Sequence, residues 1–500
     1  MSRLIVVSNR VPVPKAGAMP AGGLAVALSG AMQDRGGVWF GWSGETAEEG
    51  VEPEVRTLEK GKVTYALVDL TARDLEDYYA GFSNRMLWPL FHYRMDLTDF
   101  TRVTLGGYYR VNRLFAKLLT PMVEDDDLFW IHDYHLIPLA NELRQAGCRN
   151  RMGFFLHIPF PPPDILTVLP NHADVIRGLA AYDVIGFQTP LDVENFETYL
   201  RREKVGRRMS DGRFVVHGRA VKVEAFPVGI ETKAFADIAA SSDRNALVQR
   251  MEESLVGRSL IIGVDRLDYS KGIAERILAF QSFLTLEQEA RGKVTYLQVT
   301  PKSRSDVAEY AAMEKEVAEL AGRVNGQHAD LDWTPIRYVN RTVGRNALAG
   351  LYRLARVGLV TPLRDGMNLV AKEYVAAQDP ESPGVLVLSR FAGAAENMPE
   401  ALQVNPLDPV GVASAIHNAL EMPLEERRER HAAMYRRLET QNVGVWAKAF
   451  LEALELPDAA PAASQPEPDL RVRTQYSTSS AGSSRSHRAS TRSELASRAL

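Results

Sequence analysis

The stretch that decides the fold is SLIIGVDRLDYSKGIAERILAF, residues 259–280. Its first six residues, 259–264, are a short apolar run without strict alternation, which is typical of a parallel strand buried on both faces. A helical pattern begins at Ile273, so the residues between form a connection from a strand to a helix. The pattern therefore predicts a unit of strand, turn and helix, and the turn carries the cations Arg266 and Lys271.

The same alternation of short apolar runs and longer helical patterns continues along most of the chain. Strands are predicted at 4–8, 128–132, 152–157, 184–187 and 221–226, and in a second series at 259–264, 294–299, 357–361 and 385–388. Helices are predicted at 273–290, 307–323 and 368–378. Alternating strands and helices predict a doubly wound α/β architecture in two domains, with the carboxyl ends of the strands lining a cleft.

A change of pattern separates the two predicted domains, and a change of composition marks the end of the second. We place an N-terminal domain at residues 1–235 and a C-terminal domain at 236–456, with Pro227 and Gly229 as a hinge. From residue 457 to 500 the chain is rich in Ser, Ala, Pro and Arg, and its few large apolar residues have no period. Such a segment cannot bury enough apolar surface to offset its ordering entropy, so we predict a disordered tail.

Composition excludes several classes of protein. The chain has 500 residues, with 59 Lys and Arg against 63 Asp and Glu, a net charge of −4. This balance argues against a nucleic-acid partner bound through bulk positive charge. No run approaches the roughly 18 apolar residues of a transmembrane helix, so no membrane partner is expected. The single cysteine, Cys148, forms no intramolecular disulfide and indicates a reducing, cytoplasmic location.

Cations and glycines follow several of the predicted strands. The cations are Arg10, Arg266, Lys271 and Arg304, and the glycine pair is Gly22 and Gly23. Cations and helix N-termini at strand ends favour anionic, phosphate-bearing ligands, one for each face of the cleft. A surface ion-pair cluster with Asp265 and Asp268 is the alternative interpretation of the turn after residue 264. The G-x-G-x-x-G pattern is absent after the first strand, which argues against an NAD-type dehydrogenase.

Histidines and aspartates also follow strands. His132, Asp133 and His135 end one strand and His157 ends the next, where they either cap the strands or serve a ligand. A metal site from the first three is disfavoured because adjacent strand residues point in opposite directions. The triplets at 125–127 and 330–332 lie in polar loops and are interpreted as solvated acids.

Several long strings, in the right order, resemble the trehalose-6-phosphate synthases, a family of GT-B glycosyltransferases. They are SNR and GGL near the N-terminus, YYAGFSNRMLWPLFHYR at 78–94, WIHDYHL at 130–136, FFLHIPFPPPD at 154–164, GFQT at 186–189, VDRLDYSKG at 264–272 and GLVTPLRDGMNLVAKEYVA at 358–376. The resemblance covers about residues 3–455. It implies two Rossmann-like domains that face a central cleft, with the last helix packing back on the N-terminal domain.

The resemblance implies a retaining transfer of glucose from UDP-glucose to glucose 6-phosphate. The products are α,α-trehalose 6-phosphate and UDP, in the first step of trehalose biosynthesis for stress and osmoprotection. A separate trehalose-phosphate phosphatase then acts downstream. No cofactor and no metal are expected, and the chain is expected to form a homo-oligomer, a dimer or a tetramer.

The resemblance also assigns roles to residues of the cleft. On the acceptor side, Arg10, Tyr79 and Arg304 clamp the phosphate of glucose 6-phosphate, Trp88 is an aromatic wall and Asp133 contacts an acceptor hydroxyl. On the donor side, the residues are Gly22, Gly23, His157, Arg266, Lys271, Val343, Asp365, Leu369, Val370, Ala371, Lys372 and Glu373. The four residues nearest the reaction are Arg266, Lys271, His157 and Asp133. The family usually carries a bulkier aromatic residue at the place of Val343.

Two alternatives stay open at the level of sequence. A glucosylglycerol-phosphate synthase shares the donor half and takes glycerol 3-phosphate, but Tyr79, Trp88 and Arg304 favour the larger sugar phosphate. A catalytically silent sugar-phosphate sensor is the other alternative. It is disfavoured because every matched cation is present and the 44 residues after 456 are too few for a fused phosphatase domain.

Overall fold

Two β-sheets organise the chain. The computed structural model describes residues 2–13, 28, 32, 35–301 and 308–456. The predicted tail at 457–500 lies outside these described residues.

The first sheet has ten strands. Strands β1 to β10 are Leu4–Arg10, Gly37–Ala47, Val55–Lys60, Val63–Thr71, Leu128–His132, Met152–Phe155, Val184–Phe187, Gly206–Arg208, Phe214–Val216 and Arg219–Ala225. Their order is β3-β4-β2-β1-β5-β6-β7-β10-β9-β8. The centre, from β4 to β10, is parallel, and β3, β8 and β9 add antiparallel edges.

The second sheet has six strands and is parallel throughout. Strands β11 to β16 are Ser259–Val264, Val294–Val299, Ile336–Val339, Val357–Val360, Val385–Ser389 and Leu402–Val404. Their order is β13-β12-β11-β14-β15-β16. Counted within this sheet, that is the 3-2-1-4-5-6 order of a Rossmann fold.

Helices cover both sheets. The α-helices are Ala72–Asp74, Trp88–Phe91, Arg102–Leu119, Leu139–Gln145, Pro163–Leu166, His172–Leu179, Pro190–Arg202, Thr232–Ala240, Ala246–Leu255, Ile273–Leu286, Ala308–His328, Arg345–Leu354, Leu369–Ala377, Pro409–Glu421, Leu424–Thr440 and Val443–Glu455, and Leu75–Leu87 is a π-helix. Among the helices of the described residues, none combines the length and apolar character required to cross a membrane.

Burial on both faces explains why the strands are so apolar. In β11, Leu260 and Ile262 belong to one core cluster, together with Tyr374 of the helix Leu369–Ala377. Ile261, between them, belongs to a different cluster with Phe280 of the opposite helix layer. A strand covered on both sides has no solvent face, so its sequence is a continuous apolar run.

The predicted strands are confirmed. Four of them coincide with the observed strands, at 128–132, 184–187, 259–264 and 294–299, and the other predicted strand ends differ by at most two residues. The strands β2 to β4, β8, β9, β13 and β16 were not predicted. Most of these lie at or near an edge of a sheet, where partial exposure breaks the apolar run.

The last described helix, Val443–Glu455, packs on the first sheet. Phe450 is fully buried, and its ring stacks on Trp130 of β5 with centroids 4.8 Å apart. Gly186 of β7 leaves room for the ring, since a Cβ there would lie 2.9 Å from it. The Arg151 guanidinium donates to the Leu454 carbonyl (2.6 Å). The domain boundary between residues 235 and 236 stays a prediction.

Removing the Phe450 ring tests the importance of this packing. We expect Phe450→Ala to lower the free energy of unfolding by about 3–5 kcal/mol, because the surrounding strands cannot collapse into the space. Lys448→Ala, in the same helix but with a side chain 76% exposed, should change it by about 0.5 kcal/mol or less. Urea denaturation measures both variants, and a loss below about 1 kcal/mol for Phe450→Ala would contradict the assigned packing.

Candidate active site

Each sheet reverses its strand order at one place. The reversal lies between β1 and β5 in the first sheet and between β11 and β14 in the second. Ligands of open α/β sheets bind at the carboxyl ends of the strands beside such a reversal. Candidate residues predicted from the sequence lie at the carboxyl ends of all four strands: Arg10 ends β1, and Asp133, Lys271 and Asp365 follow the other three. The topology therefore brings residues distant in sequence to two ligand-binding edges.

The two edges contact each other at Gly366. A Cβ on this glycine would lie 2.3 Å from the carbonyl oxygen of His157 and 3.0 Å from the Cα of Ile158. Only glycine allows the backbone after β14 to approach the backbone after β6 so closely. A small crevice beside this contact is lined by residues of both halves, among them Asp192 and Arg364.

At the edge of the second sheet, Lys271 and Asp365 form an ion pair. The Lys271 Nζ lies 2.5 Å from the Asp365 Oδ2, and the two side chains are 12% and 13% exposed. The Asn368 amide also donates to Asp365 (3.0 Å). Burial of the Asp365 carboxyl opposes its ionisation, but Lys271 and Asn368 hold its pKa below the ordinary value. The pair fixes an ammonium group close to the N-terminus of the helix Leu369–Ala377, where anions are stabilised.

The buried guanidinium of Arg276 holds this edge in place from the core side. Arg276 is 1% exposed and lies 2.7 Å from the Asp265 carboxylate, which follows β11. It also donates to the Thr361 hydroxyl (2.9 Å) and to the Lys271 carbonyl (3.1 Å). Arg276 was not predicted. It lies three residues after Ile273, on the apolar face of the helix, and a charged residue on such a face is a signal of a buried guanidinium.

This arrangement excludes a surface ion-pair cluster in the turn after β11. Asp265 is 5% exposed and Asp268 is fully buried. Asp265 pairs with Arg276, and Asp268 accepts from the backbone and hydroxyl of Ser270. Both carboxylates therefore shape the turn from inside, and Arg266 is exposed on its outer side.

At the edge of the first sheet, Arg10 lies over an aromatic wall. Its guanidinium carbon is 5.6 Å from the ring centroid of Trp42, which pairs with it across β1 and β2. The Trp42 ring lies 5.9 Å from Tyr79, and Tyr79 stacks on His135 at 5.8 Å. Trp42 was not predicted, because the glycines of β2 obscure its strand pattern.

A π-helix carries Tyr79 to this wall and leads directly to Trp88. The π-helix, Leu75–Leu87, has 13 residues. π-Helical turns are rare overall, and those that occur are often found at functional sites. Trp88 is 5% exposed, and its ring lies 4.2 Å from His92 and 5.7 Å from Tyr134. Most of the Trp88 side chain therefore packs inside the first half, behind the edge where Arg10 and Tyr79 lie.

Asp133 and His157 lie together between the two edges. Asp133 has a positive φ of 74°, and its Oδ1 accepts from the backbone of Tyr134 (3.1 Å) and His157 (3.3 Å). The His157 Nε2 is 3.1 Å from the Nδ1 of the buried His132. Burial lowers the pKa of His157 to about 3 and that of His132 well below its usual range. Both imidazoles are therefore neutral, and their partners fix their orientation.

The residues expected after Asn368 have different environments. Leu369 and Val370 are partly buried against the core, as is Val343, whereas Ala371 is fully buried. The buried Lys372 donates to the Val228 carbonyl (2.6 Å), which lies between β10 and the helix Thr232–Ala240. Burial lowers the pKa of Lys372 to about 7 and raises that of the half-buried Glu373 to about 7. The Lys372 amino group is thus committed to the chain itself.

Three of the predicted residues, Gly22, Gly23 and Arg304, lie outside the described residues. Within the described part of the chain, one acidic group, Glu124, Asp126 and Asp127, has the spacing of metal ligands. Asp127 is 1% exposed and bonded to Arg3 (2.7 Å and 2.8 Å), so its interpretation as a solvated acid is wrong. Asp330 and Asp332 are exposed, as predicted.

Comparison with known proteins gives consistent results. Residues 2–456 match glycosyltransferase family 20. The trehalose-6-phosphate synthase of Sinorhizobium fredii is 57% identical over 456 residues, covering 91% of this chain and 98% of that protein.

Solved structures of similar proteins have the same fold. An α,α-trehalose-phosphate synthase (UDP-forming) from Burkholderia xenovorans, in complex with glucose-6-phosphate, is 47% identical with a TM-score of 0.86, over 90% of this chain and 100% of that one. A structure from E. coli, bound with UDP-2-fluoro glucose, is 46% identical with a TM-score of 0.87, over 91% and 100%. The described fold, with two doubly wound sheets, is therefore the GT-B fold of these enzymes.

Neutral buried histidines predict sensitivity to acid. Burial lowers the pKa of His92 to about 4, from an ordinary value of 6.5. Because the folded protein binds this proton less tightly than the unfolded chain, the corresponding stability is fully present above pH 6.5 and is lost as the pH falls towards 4. We expect His92→Gln to reduce the loss of unfolding free energy between pH 6.5 and 5.5 by about 1 kcal/mol.

Urea denaturation of both proteins at the two pH values measures this difference. The readout is the change in unfolding free energy between the two pH values, since the variant itself is less stable at every pH. Equal pH dependence of wild type and variant would show that folding does not lower the pKa of His92.

Proposed function

The chain belongs to glycosyltransferase family 20, and on that premise we propose that it makes α,α-trehalose 6-phosphate and UDP from UDP-glucose and glucose 6-phosphate. The relatives described above are trehalose-phosphate synthases, and two of their structures hold glucose-6-phosphate and UDP-2-fluoro glucose. The chain is thus a UDP-forming hexosyltransferase of trehalose biosynthesis.

One observation carries the proposal: the carboxyl edges of the two sheets meet at Gly366 and His157. A nucleotide sugar on the edge with Lys271 and a sugar phosphate on the edge with Arg10 would have their reacting atoms adjacent. A site for one ligand alone would need only one of these edges.

On the acceptor side, we assign Arg10, Tyr79 and Arg304 to the phosphate of glucose 6-phosphate. The position of Arg10 over Trp42, which also contacts Tyr79, supports the first two. Asp133 faces the junction of the edges, where it can accept from an acceptor hydroxyl. We assign Trp88, which is 5% exposed, to the aromatic wall beside the acceptor.

On the donor side, Arg266, Lys271 and the N-terminus of the helix Leu369–Ala377 bind the diphosphate. Backbone N–H groups of Leu369 and Val370 face this anion, while the Lys372 side chain holds the helix in place. We assign Glu373 to the ribose, Val343 to the uracil through its main chain, and Asp365 with His157 to hydroxyls of the transferred glucose. Gly22 and Gly23 complete the diphosphate site.

The chemistry follows from where charge develops. Breaking the bond between the anomeric carbon and the phosphate oxygen moves negative charge onto UDP. Lys271 and Arg266 stabilise that charge, and they do so strongly because the closed cleft excludes water. Asp365 holds the Lys271 ammonium in place before the reaction, so that no reorganisation is needed at the transition state.

Retention is proposed to occur by attack on the face that UDP leaves. A covalent intermediate would need a free carboxylate, but Asp133 accepts from two backbone N–H groups and Asp365 from Lys271 and Asn368. These bonds reduce the nucleophilicity of both carboxylates. The acceptor hydroxyl therefore attacks an oxocarbenium-like carbon and gives its proton to the departing phosphate oxygen. A covalent glycosyl-enzyme trapped on any Asp or Glu would refute this route.

The proposal also includes features expected from the sequence. The reaction needs no metal and no cofactor, because Arg266 and Lys271 supply the positive charge. The enzyme is cytoplasmic and homo-oligomeric, and a separate phosphatase removes phosphate from the product.

Product formation tests the proposed reaction directly. With UDP-glucose and glucose 6-phosphate we expect release of UDP and an α,α-linked disaccharide phosphate, identified by NMR, in buffer containing EDTA. Glycerol 3-phosphate serves as the control acceptor and should give turnover at least about 100-fold lower, because Tyr79, Trp88 and Arg304 favour the larger sugar phosphate. Preference for glycerol 3-phosphate, or no UDP release at all, would overturn the proposal.

Lys271 and Arg304 should affect different kinetic constants. We expect Lys271→Ala to lower kcat about 100-fold with both substrates saturating, because it removes charge stabilisation realised in the transition state. Arg304→Ala should mainly raise the KM for glucose 6-phosphate. Steady-state kinetics separate the two effects, and a Lys271→Ala enzyme with normal kcat would exclude a leaving-group role for this lysine.

A further inference from the structure

A short turn after Trp88–Phe91 lies between the two halves. In this turn Tyr93 has a positive φ of 64°, and its N–H donates to the Leu90 carbonyl (3.0 Å). The Arg94 N–H donates to the Pro89 carbonyl (2.9 Å). These bonds fix the directions of the Tyr93 and Arg94 side chains, which both extend from the first half towards the second.

Each of these side chains meets a partner from the second half. The Arg364 guanidinium carbon lies 4.4 Å from the ring centroid of Tyr93. In the second contact the arginine comes from the first half: the Arg94 guanidinium carbon lies 5.6 Å from the ring centroid of Tyr269. Both distances are within the roughly 6 Å at which a cation is attracted to an aromatic face. Each half thus contributes one arginine and one tyrosine to a crossed pair of contacts.

The partners lie on the two loops that carry the donor-side residues. Arg364 directly precedes Asp365, and Tyr269 belongs to the short helical turn Tyr269–Lys271. The Arg364 Nε is buried and, within the described residues, has no hydrogen-bond partner, and the guanidinium lies over the Tyr93 ring. The Arg94 guanidinium is held in place by two hydrogen bonds to Asp96 (2.7 Å and 2.9 Å).

We propose that Tyr93 and Arg94 are positioning residues, which hold the loops of Lys271 and Asp365 against the first half. They touch neither substrate. They act by favouring the closed arrangement, in which the Lys271 edge and the Arg10 edge face each other. This inference rests on the proposed function, because it concerns the efficiency of transfer between two substrates bound on opposite edges.

Closure matters for transfer and much less for binding of the nucleotide alone. UDP is held mainly by the second half, with Gly22 and Gly23 completing the diphosphate site from the first, so its affinity should depend only weakly on the contacts with Tyr93. Transfer requires both edges, so the efficiency of transfer falls with the population of the closed state. A merely structural role would instead lower UDP affinity and activity together.

A double-mutant cycle between Tyr93 and Arg364 tests the inference. Tyr93→Leu removes the aromatic face, Arg364→Met removes the cation, and Tyr93→Phe is the matched control that keeps the ring. We expect kcat/KM for glucose 6-phosphate, at saturating UDP-glucose, to fall about tenfold in Tyr93→Leu and at least as much in Arg364→Met. The double variant should be no worse than Arg364→Met alone, and Tyr93→Phe should stay within about twofold of wild type.

Calorimetric titration with UDP supplies the second readout, and its Kd should change less than about twofold in all four variants. Additive losses in the double variant, wild-type efficiency in Tyr93→Leu, or a loss of UDP affinity that matches the loss of efficiency would each overturn the inference. Failure of the proposed function is separately visible, because the wild-type enzyme would then make no product in the same assay.

Discussion

The ion pair of Lys271 and Asp365 is the interaction on which the arrangement of the site depends. It joins the loop after β11 to the loop after β14, the two strands beside the reversal of the second sheet. An isolated ammonium would be costly at such low exposure, and the carboxylate makes its burial tolerable. The pair therefore keeps a cation at the edge where we propose that the departing diphosphate lies.

The surroundings of this pair are built in layers. Below it, Arg276 ties the Lys271 carbonyl to Asp265 and Thr361, so the turn is fixed from the core. Beside it, Gly366 lets the backbone of the second half approach His157 of the first. Because each layer fixes the next, the cations at the edge are preorganised, which is the condition for electrostatic catalysis.

Sequence predicted the strands well, because a buried parallel strand depends on local pattern. A strand such as Leu128–His132 is buried on both faces and reads as a continuous apolar run. Lys271 lies in the turn after such a strand, as predicted, and its role stays a prediction. Trp42 and Arg276 were not predicted, since a strand rich in glycine and a charged residue on an apolar helix face contradict the usual patterns. The contacts of Tyr93 join segments far apart in sequence, and Arg304 lies outside the described residues.

We propose that the two edges hold different substrates, whose reacting atoms meet between them. A crystal structure of the protein with both UDP and glucose 6-phosphate tests it most directly. We expect the diphosphate within about 3 Å of the Lys271 ammonium, and the sugar phosphate opposite it, beside Arg10 and Tyr79. Both ligands on one edge, or a diphosphate away from Lys271, would contradict it.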